Sequence, residues 1–157
     1  DVVTLFPGPN DIFAFNESRS AQGIRTMLEH YDALIRMVQT TAGQTRIGVM
    51  LPVPPAATQD AFGANYANGQ TRWQYKRNQH RLVERMIEHY GDRTAERIDL
   101  VPTYVSLDCL HNYPAENVTW NATTEVKGSR LNNGVHPSGP GYDRIGDEVY
   151  EWLQATR

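Results

Sequence analysis

"DVVTLFPGPND", residues 1–11, opens on a β-branched and aromatic run and stops at a turn-forming Pro-Gly-Pro-Asn. A short apolar run closed in this way reads as a buried strand, residues 1–6, that empties into a loop. The same unit then recurs in architecture, though not in sequence. From Ser20 to Ala42, Ile24, Met27, Leu28, Tyr31, Leu34, Ile35 and Val38 fall at three- and four-residue steps, which predicts an amphipathic helix with Gly43 as its stop. "TRIGVMLPV", 45–53, is a second strand, followed by the long loop "PVPPAATQDAFGANYANGQ". A helix over Thr71–Tyr90 is expected to bury Trp73, Leu82, Val83, Met86, Ile87 and Tyr90 and to close at Gly91. "RIDLVPTYV", 97–105, is the third strand. An irregular segment, 106–138, leads to a last helix carrying Tyr142, Ile145, Val149, Trp152 and Leu153. Alternating strands and helices build a parallel sheet with helices on both faces, so the expected class is α/β, a three-layer α/β/α sandwich.

With 157 residues, the chain can bury one core, and one domain or a piece of one is expected. A net charge of −3 with scattered basic residues gives no footprint for nucleic acid. Runs such as Ile47–Leu51 are far too short to span a bilayer, and the N-terminus has no basic region or signal, so any export signal lies outside the chain or is absent. Cys109 is the only cysteine, which excludes an internal disulfide and leaves the compartment open. Asn16, Asn117 and Asn121 stand in glycosylation sequons, a pattern that chance also produces in a chain rich in Asn, Ser and Thr.

In parallel sheets ligands gather at the carboxyl ends of the strands, here "FPGPND", "LPVPP" and "VSLDCLH". Asn10 offers a side-chain amide at the first of these, able to donate to a developing oxyanion; the alternative is that Asn10 and Asp11 only make an Asx turn. His136 lies in "NNGVHPSGPGY", 132–142, at the start of the last helix. Imidazole titrates nearest neutrality and makes His136 the candidate general base, against the alternative of a surface or capping histidine. His30, His80 and His89 fall within the long helices and read as surface residues. Asp108, Cys109 and His111 have metal-ligating atoms but too few ligands at a recognisable spacing.

Gly8-Pro9-Asn10-Asp11 after a strand, paired with "GVHPSGPGY" more than a hundred residues later, resembles two blocks of the SGNH, or GDSL-type, serine hydrolases. The likeness extends over essentially the whole chain, because the element order and the proline-rich loop also fit. It implies a flavodoxin-like parallel sheet and hydrolysis of an ester, such as a carbohydrate O-acetyl or another short acyl group, with no metal or organic cofactor. His136 would be the base, Asn10 with Gly8 would form the oxyanion hole, and Asp11 would support the loop. The loops 52–70 and 106–132 would shape the pockets, where Phe62, Asn65, Tyr66, Tyr113 and Trp120 suit a sugar or serve packing.

Two departures from the pattern stand out. Asn133 occupies the position of the aspartate that orients the catalytic histidine, and an amide supplies no negative charge. In a serine protease of another fold the Asp-to-Asn change costs roughly ten-thousandfold. A backbone carbonyl, Asn132 or Asp108 could assist instead. The Gly-Asp-Ser block that carries the nucleophile has no match: Ser18, Ser20, Ser106, Ser129 and Ser138 lack its context, and Ser138 reads as the cap of the last helix. The glycine that supplies a second oxyanion donor is missing as well. Residues 1–157 are therefore expected to form a single SGNH-like domain that is N-terminally incomplete, with upstream residues or another chain covering the apolar edge of strand 1–6. A second expectation, favoured by Asn133, is a non-catalytic glycan-binding or structural module. A narrower likeness to SGNH domains of bacteriophage tails and cell-surface-directed proteins implies an extracellular or virion setting.

Overall fold

Three short strands, Val2–Leu5 (β1), Arg46–Met50 (β2) and Ile98–Val101 (β3), pair in parallel in the order β1-β2-β3. Val3 is in register with Ile47, and Ile47 with Ile98. The structure is a computed structural model that describes residues 1–13, 15–66 and 70–156; the side chain of Asn65 lies outside what is described. Between the strands run the helices Glu17–Thr41 (α1), Gln59–Tyr66 (α2) and Arg72–Tyr90 (α3), and Gly139–Ala155 (α4) closes the chain. An antiparallel hairpin, Ala115–Thr119 (β4) and Lys127–Leu131 (β5), stands apart from the sheet. Among the described residues no helix is long and apolar enough to cross a membrane.

Local chemistry sets the helix limits. Asn16 caps α1 by accepting the N–H of Arg19 at 3.0 Å, which starts the helix three residues before the apolar periodicity does. Thr71 caps α3 through the N–H of Gln74 at 3.1 Å. The alternation of β2 then sorts its side chains: Ile47 and Val49 join Ile24, Ile35, Leu82 and Met86 of α1 and α3, whereas Met50 joins Ile145 and Trp152 of α4. The Trp152 ring lies over Gly48, and its indole N–H donates to Asp99 at 3.2 Å. Asp99 also pairs with Arg46 at 2.7 Å, tying β2 and β3 to α4.

Several expectations need correction. β1 is half exposed, not buried: Val2 is 47% exposed and Phe6 43%. Val2 and Thr4 are in register with Arg46 and Gly48, on the side where α4 covers β2, and α4 does not reach across to them. Trp73 and Ile87 point into solvent, because the buried stripe of α3 runs through Tyr75, Leu82, Val83 and Met86, and Trp73 lies about 200° around the helix from Tyr75. The loop 52–70 contains α2. Its sequence, QDAFGANY, has no strong periodicity, and the helix holds because Ala61 and Phe62 are fully buried. The irregular segment contains the hairpin, whose strands are largely polar and solvent-exposed and so carry no apolar alternation to read.

Candidate active site

Gly8 begins the site. Its φ of +107° is a conformation that side-chain-bearing residues rarely adopt, and a Cβ there would lie 2.5 Å from Leu82 Cδ2. The backbone N–H groups of Asp11 and Ile12 both donate to Gly8 O, at 3.1 and 3.3 Å, so residues 8–12 form a tight turn pressed onto α3. Asn10 and Asp11 lie on its outer, exposed side. The Tyr31 hydroxyl of α1 hydrogen-bonds the Asp11 carboxylate. Burial first, and the Asp11 charge second, push the Tyr31 hydroxyl well above its ordinary value.

A second turn carries His136. Asn133 Oδ1 accepts the N–H groups of Val135 (3.0 Å) and His136 (2.8 Å), an Asx turn. The side chain of Asn133 also hydrogen-bonds Tyr66, whose hydroxyl is raised mainly by burial against that bond. The Tyr66 ring in turn lies 6.3 Å from the His136 ring, tilted by 47°. Backbone bonds tie this turn to its neighbours: Ala56 N donates to Gly134 O (3.0 Å), Asn132 N to Pro114 O (3.0 Å) and Ser138 N to Asn112 O (2.9 Å). A Cβ on Gly134 would lie 2.3 Å from Phe62 Cα, so glycine is what lets α2 pack directly on the turn.

The two turns face one cavity of about 510 Å3. Gly8, Asn10 and Asp11 line it from the first turn and Val135, His136 and Pro137 from the second, and Phe6, Val53 and Ile145 supply apolar wall. Lysine and arginine are absent from its described lining, which contains the Asp11 carboxylate, so it offers no cation to an anionic ligand. An amide donor and an imidazole at one apolar cup can polarise a carbonyl and move a proton, the two functions acyl transfer requires.

Other residues singled out from the sequence lie elsewhere. Phe62 is fully buried and Tyr113 is 3% exposed with its hydroxyl donating to the Pro54 carbonyl; both are core side chains and not pocket walls. Trp120 sits on the hairpin, its ring over Gly128, outside the cavity lining. Asp108 does not serve His136. Its Oδ1 accepts the N–H groups of Leu110 and His111 and its Oδ2 lies 2.8 Å from His111 Nδ1. The His111 bond first, then those backbone donors, hold the Asp108 carboxyl down at about 2. Ser138 occupies the N-cap position of α4, but its hydroxyl makes no capping bond and is buried without a partner among the described residues, so the expected side-chain cap is not formed. No serine is among the described residues lining the cavity.

The residues that hold the site were not read from the sequence. Asn78, Gln79 and Arg72 of α3 are buried polar groups bonded to loop carbonyls. The available signal was their place on the same helical stripe as Tyr75, Leu82 and Met86, where a polar residue must find a partner.

No curated protein and no solved structure matches the chain. A model of the GDSL-like lipase/acylhydrolase family does match, over residues 1–149. Those residues hold both turns and the helices and strands that present them to one cavity. The chain belongs to the GDSL-like lipase/acylhydrolase family.

Proposed function

We propose that the protein hydrolyses a short-acyl ester, an O-acetylated carbohydrate being the class preferred, with His136 as general base and Asn10, alongside Gly8, at the oxyanion. Ester and acyl hydrolysis in general is what membership of the family supports. One observation carries the finer reading: His136 and Asn10 line the same cavity, together with the apolar Phe6, Val53 and Ile145.

The nucleophile is a serine from outside these 157 residues. Its Oγ attacks the ester carbonyl while its proton passes to His136, and the negative charge gathers on the former carbonyl oxygen beside the Asn10 amide. Collapse breaks the bond to the alcohol, which leaves with the proton held by His136. Water then repeats the sequence on the acyl-serine and frees the acid and the serine. Asn133 shapes the turn that presents the imidazole, and Asp11 fixes its own turn through Tyr31. The steps need neither metal nor organic cofactor.

The same reading completes the architecture. The chain is one domain of a three-layer fold whose flavodoxin-like sheet continues beyond β1, and the covering segment lies on the strand edge and on the exposed Val2 and Thr4. Of the aromatics singled out from the sequence, Tyr66 at the end of α2, its ring 6.3 Å from that of His136, is the one placed to meet a substrate.

A second reading rests on Asn133. Its oxygen is engaged by backbone and its amide by Tyr66, a set of bonds that also suits a glycan-binding or structural module of a larger assembly at a cell surface or virion. Hydrolysis of p-nitrophenyl acetate by the complete polypeptide and by its His136→Ala variant separates the two. The enzyme reading expects a rate loss of roughly a thousandfold or more. Equal rates would remove His136 from any mechanism.

A further inference from the structure

Asn78 is a fully buried amide on the buried stripe of α3, between Tyr75 and Leu82. Tyr75, Asn78 and Leu82 stand at i, i+3 and i+7 and so share one face of α3. All three meet the segment that carries Asn10. The Tyr75 hydroxyl donates to Pro9 O at 3.4 Å. Asn78 Nδ2 donates to both Ile12 O (2.9 Å) and Phe15 O (2.8 Å). Leu82 fills the space that a side chain on Gly8 would take. The Asn78 oxygen is also satisfied, accepting from Gln74 Nε2 at 2.9 Å.

A leucine at position 78 would bury more apolar surface, but it would take the amide donor from the Phe15 carbonyl and leave the Ile12 carbonyl with only the Phe15 N–H at 3.3 Å, at a cost that exceeds the worth of an ordinary hydrogen bond. What the amide adds is location. It fixes the carbonyls of residues 12 and 15 against α3 while Tyr75 fixes that of residue 9, so the two anchors bracket Asn10 on both sides. An oxyanion donor acts only if it lies about 2.7–3.1 Å from the charge that develops, and a displacement near 1 Å removes most of the effect.

We propose that Asn78, seconded by Tyr75, is the positioning residue for Asn10: α3 sets the depth and aim of the oxyanion donor without touching the substrate. This rests on the reading of Asn10 as that donor.

The test is a double-mutant cycle in the complete polypeptide with p-nitrophenyl acetate, using Asn10→Ala, Asn78→Ala and the two together. Asn10→Ala is expected to lower kcat roughly a hundredfold to a thousandfold. Asn78→Ala should lower kcat about tenfold to a hundredfold with KM nearly unchanged. The decisive figure is the pair: the double variant should be no slower than Asn10→Ala alone. Losses that multiply would assign Asn78 a general structural role and overturn the proposal, as would a folded Asn78→Ala with unaltered kcat. An Asn10→Ala variant as fast as the parent would be a different failure, that of the oxyanion reading itself, and the proposal would fall with it. If Asn78→Ala does not fold, Tyr75→Phe takes its place in the cycle. It removes one hydroxyl and keeps the ring, and it is held to the same two criteria.

Discussion

Asn133 Oδ1 accepts the backbone N–H of His136 at 2.8 Å, so the residue at the aspartate position builds the turn that carries the imidazole. The chain contains a second turn of the same construction. Asp108 accepts the N–H groups two and three residues on, as Asn133 does, and its other oxygen also reaches the ring of His111 at 2.8 Å. Asn133→Asp should therefore keep its turn and gain a charged partner for the His136 ring. We expect kcat for p-nitrophenyl acetate in the complete polypeptide to rise at least about tenfold, a fraction of what the reverse change costs in a serine protease. The ring N–H resonance of His136, followed by NMR, should move downfield as a charge-assisted bond to the carboxylate forms. An unchanged rate and an unmoved resonance would mean that something else orients the ring.

Gly134→Ala should be among the costliest single changes in the molecule. The new Cβ would come within 2.3 Å of Phe62 Cα and 2.7 Å of its nitrogen, and backbone cannot swing aside as a side-chain end does. We expect a loss of about 2–3 kcal/mol in urea unfolding, typical of overpacking at a tight site. Hydrolysis should fall too, because the Asx turn must move off α2. A variant with the parent's midpoint would show that the two backbones do not meet this closely in solution.

How much of this was legible before the fold was known differs by element. β2 and α1 were plain, because Ile47, Val49 and the stripe from Ile24 to Ile35 carry their own periodicity. α2 was not, since its helix exists through the burial of Ala61 and Phe62 against distant residues. α3 was read with the right limits but partly the wrong face: Trp73 and Ile87 face solvent, and Asn78 and Gln79 lie inside. His136 and Asn10 could be singled out because each sits in a turn whose residue types are local. Tyr31 was not singled out, and Tyr66 only as a loop aromatic, because only the folded chain brings Tyr31 to Asp11 and Tyr66 to Asn133.

Acid should weaken the link between α1 and α3 at Asp32. Its two carboxylate oxygens meet His89 Nε2 at 2.9 Å and an Arg93 guanidinium nitrogen at 3.0 Å, and Arg93 also holds Glu96 at 2.7 Å. Burial opposes ionisation of Asp32, but the bonds from His89 and Arg93 outweigh it and hold the carboxyl below its ordinary value. A depressed folded pKa means that the stabilisation is full above the unfolded value, about 3.9, and is lost as pH falls through the folded one. Asp32→Asn should therefore lower stability by about 0.5–1 kcal/mol near neutrality, a modest figure because the pair is partly solvent-screened, and should narrow that gap below about pH 4. Urea midpoints measured from pH 6 down to pH 3 check this. Parallel curves for parent and variant would remove Asp32 from the acid response.

The exposed side of β1 yields the last prediction. Val2 and Thr4 project to the sheet face where Trp152 covers Gly48 under β2, yet α4 leaves them in solvent. β2 is the strand paired with β1 among the described residues, so the other edge of β1 presents its backbone groups beside an apolar strip. An edge of this kind recruits further strands unless a charge blunts it. Residues 1–157 expressed alone should therefore self-associate at micromolar concentration, visible by sedimentation velocity, and Thr4→Lys should shift them toward monomer. The lysine lies in register with Gly48 and not in either core cluster, so the unfolding midpoint should change little. If residues 1–157 alone proved monomeric and unfolded cooperatively, β1 would be an adequate edge as it stands, and the proposal that further residues cover it would have to be abandoned.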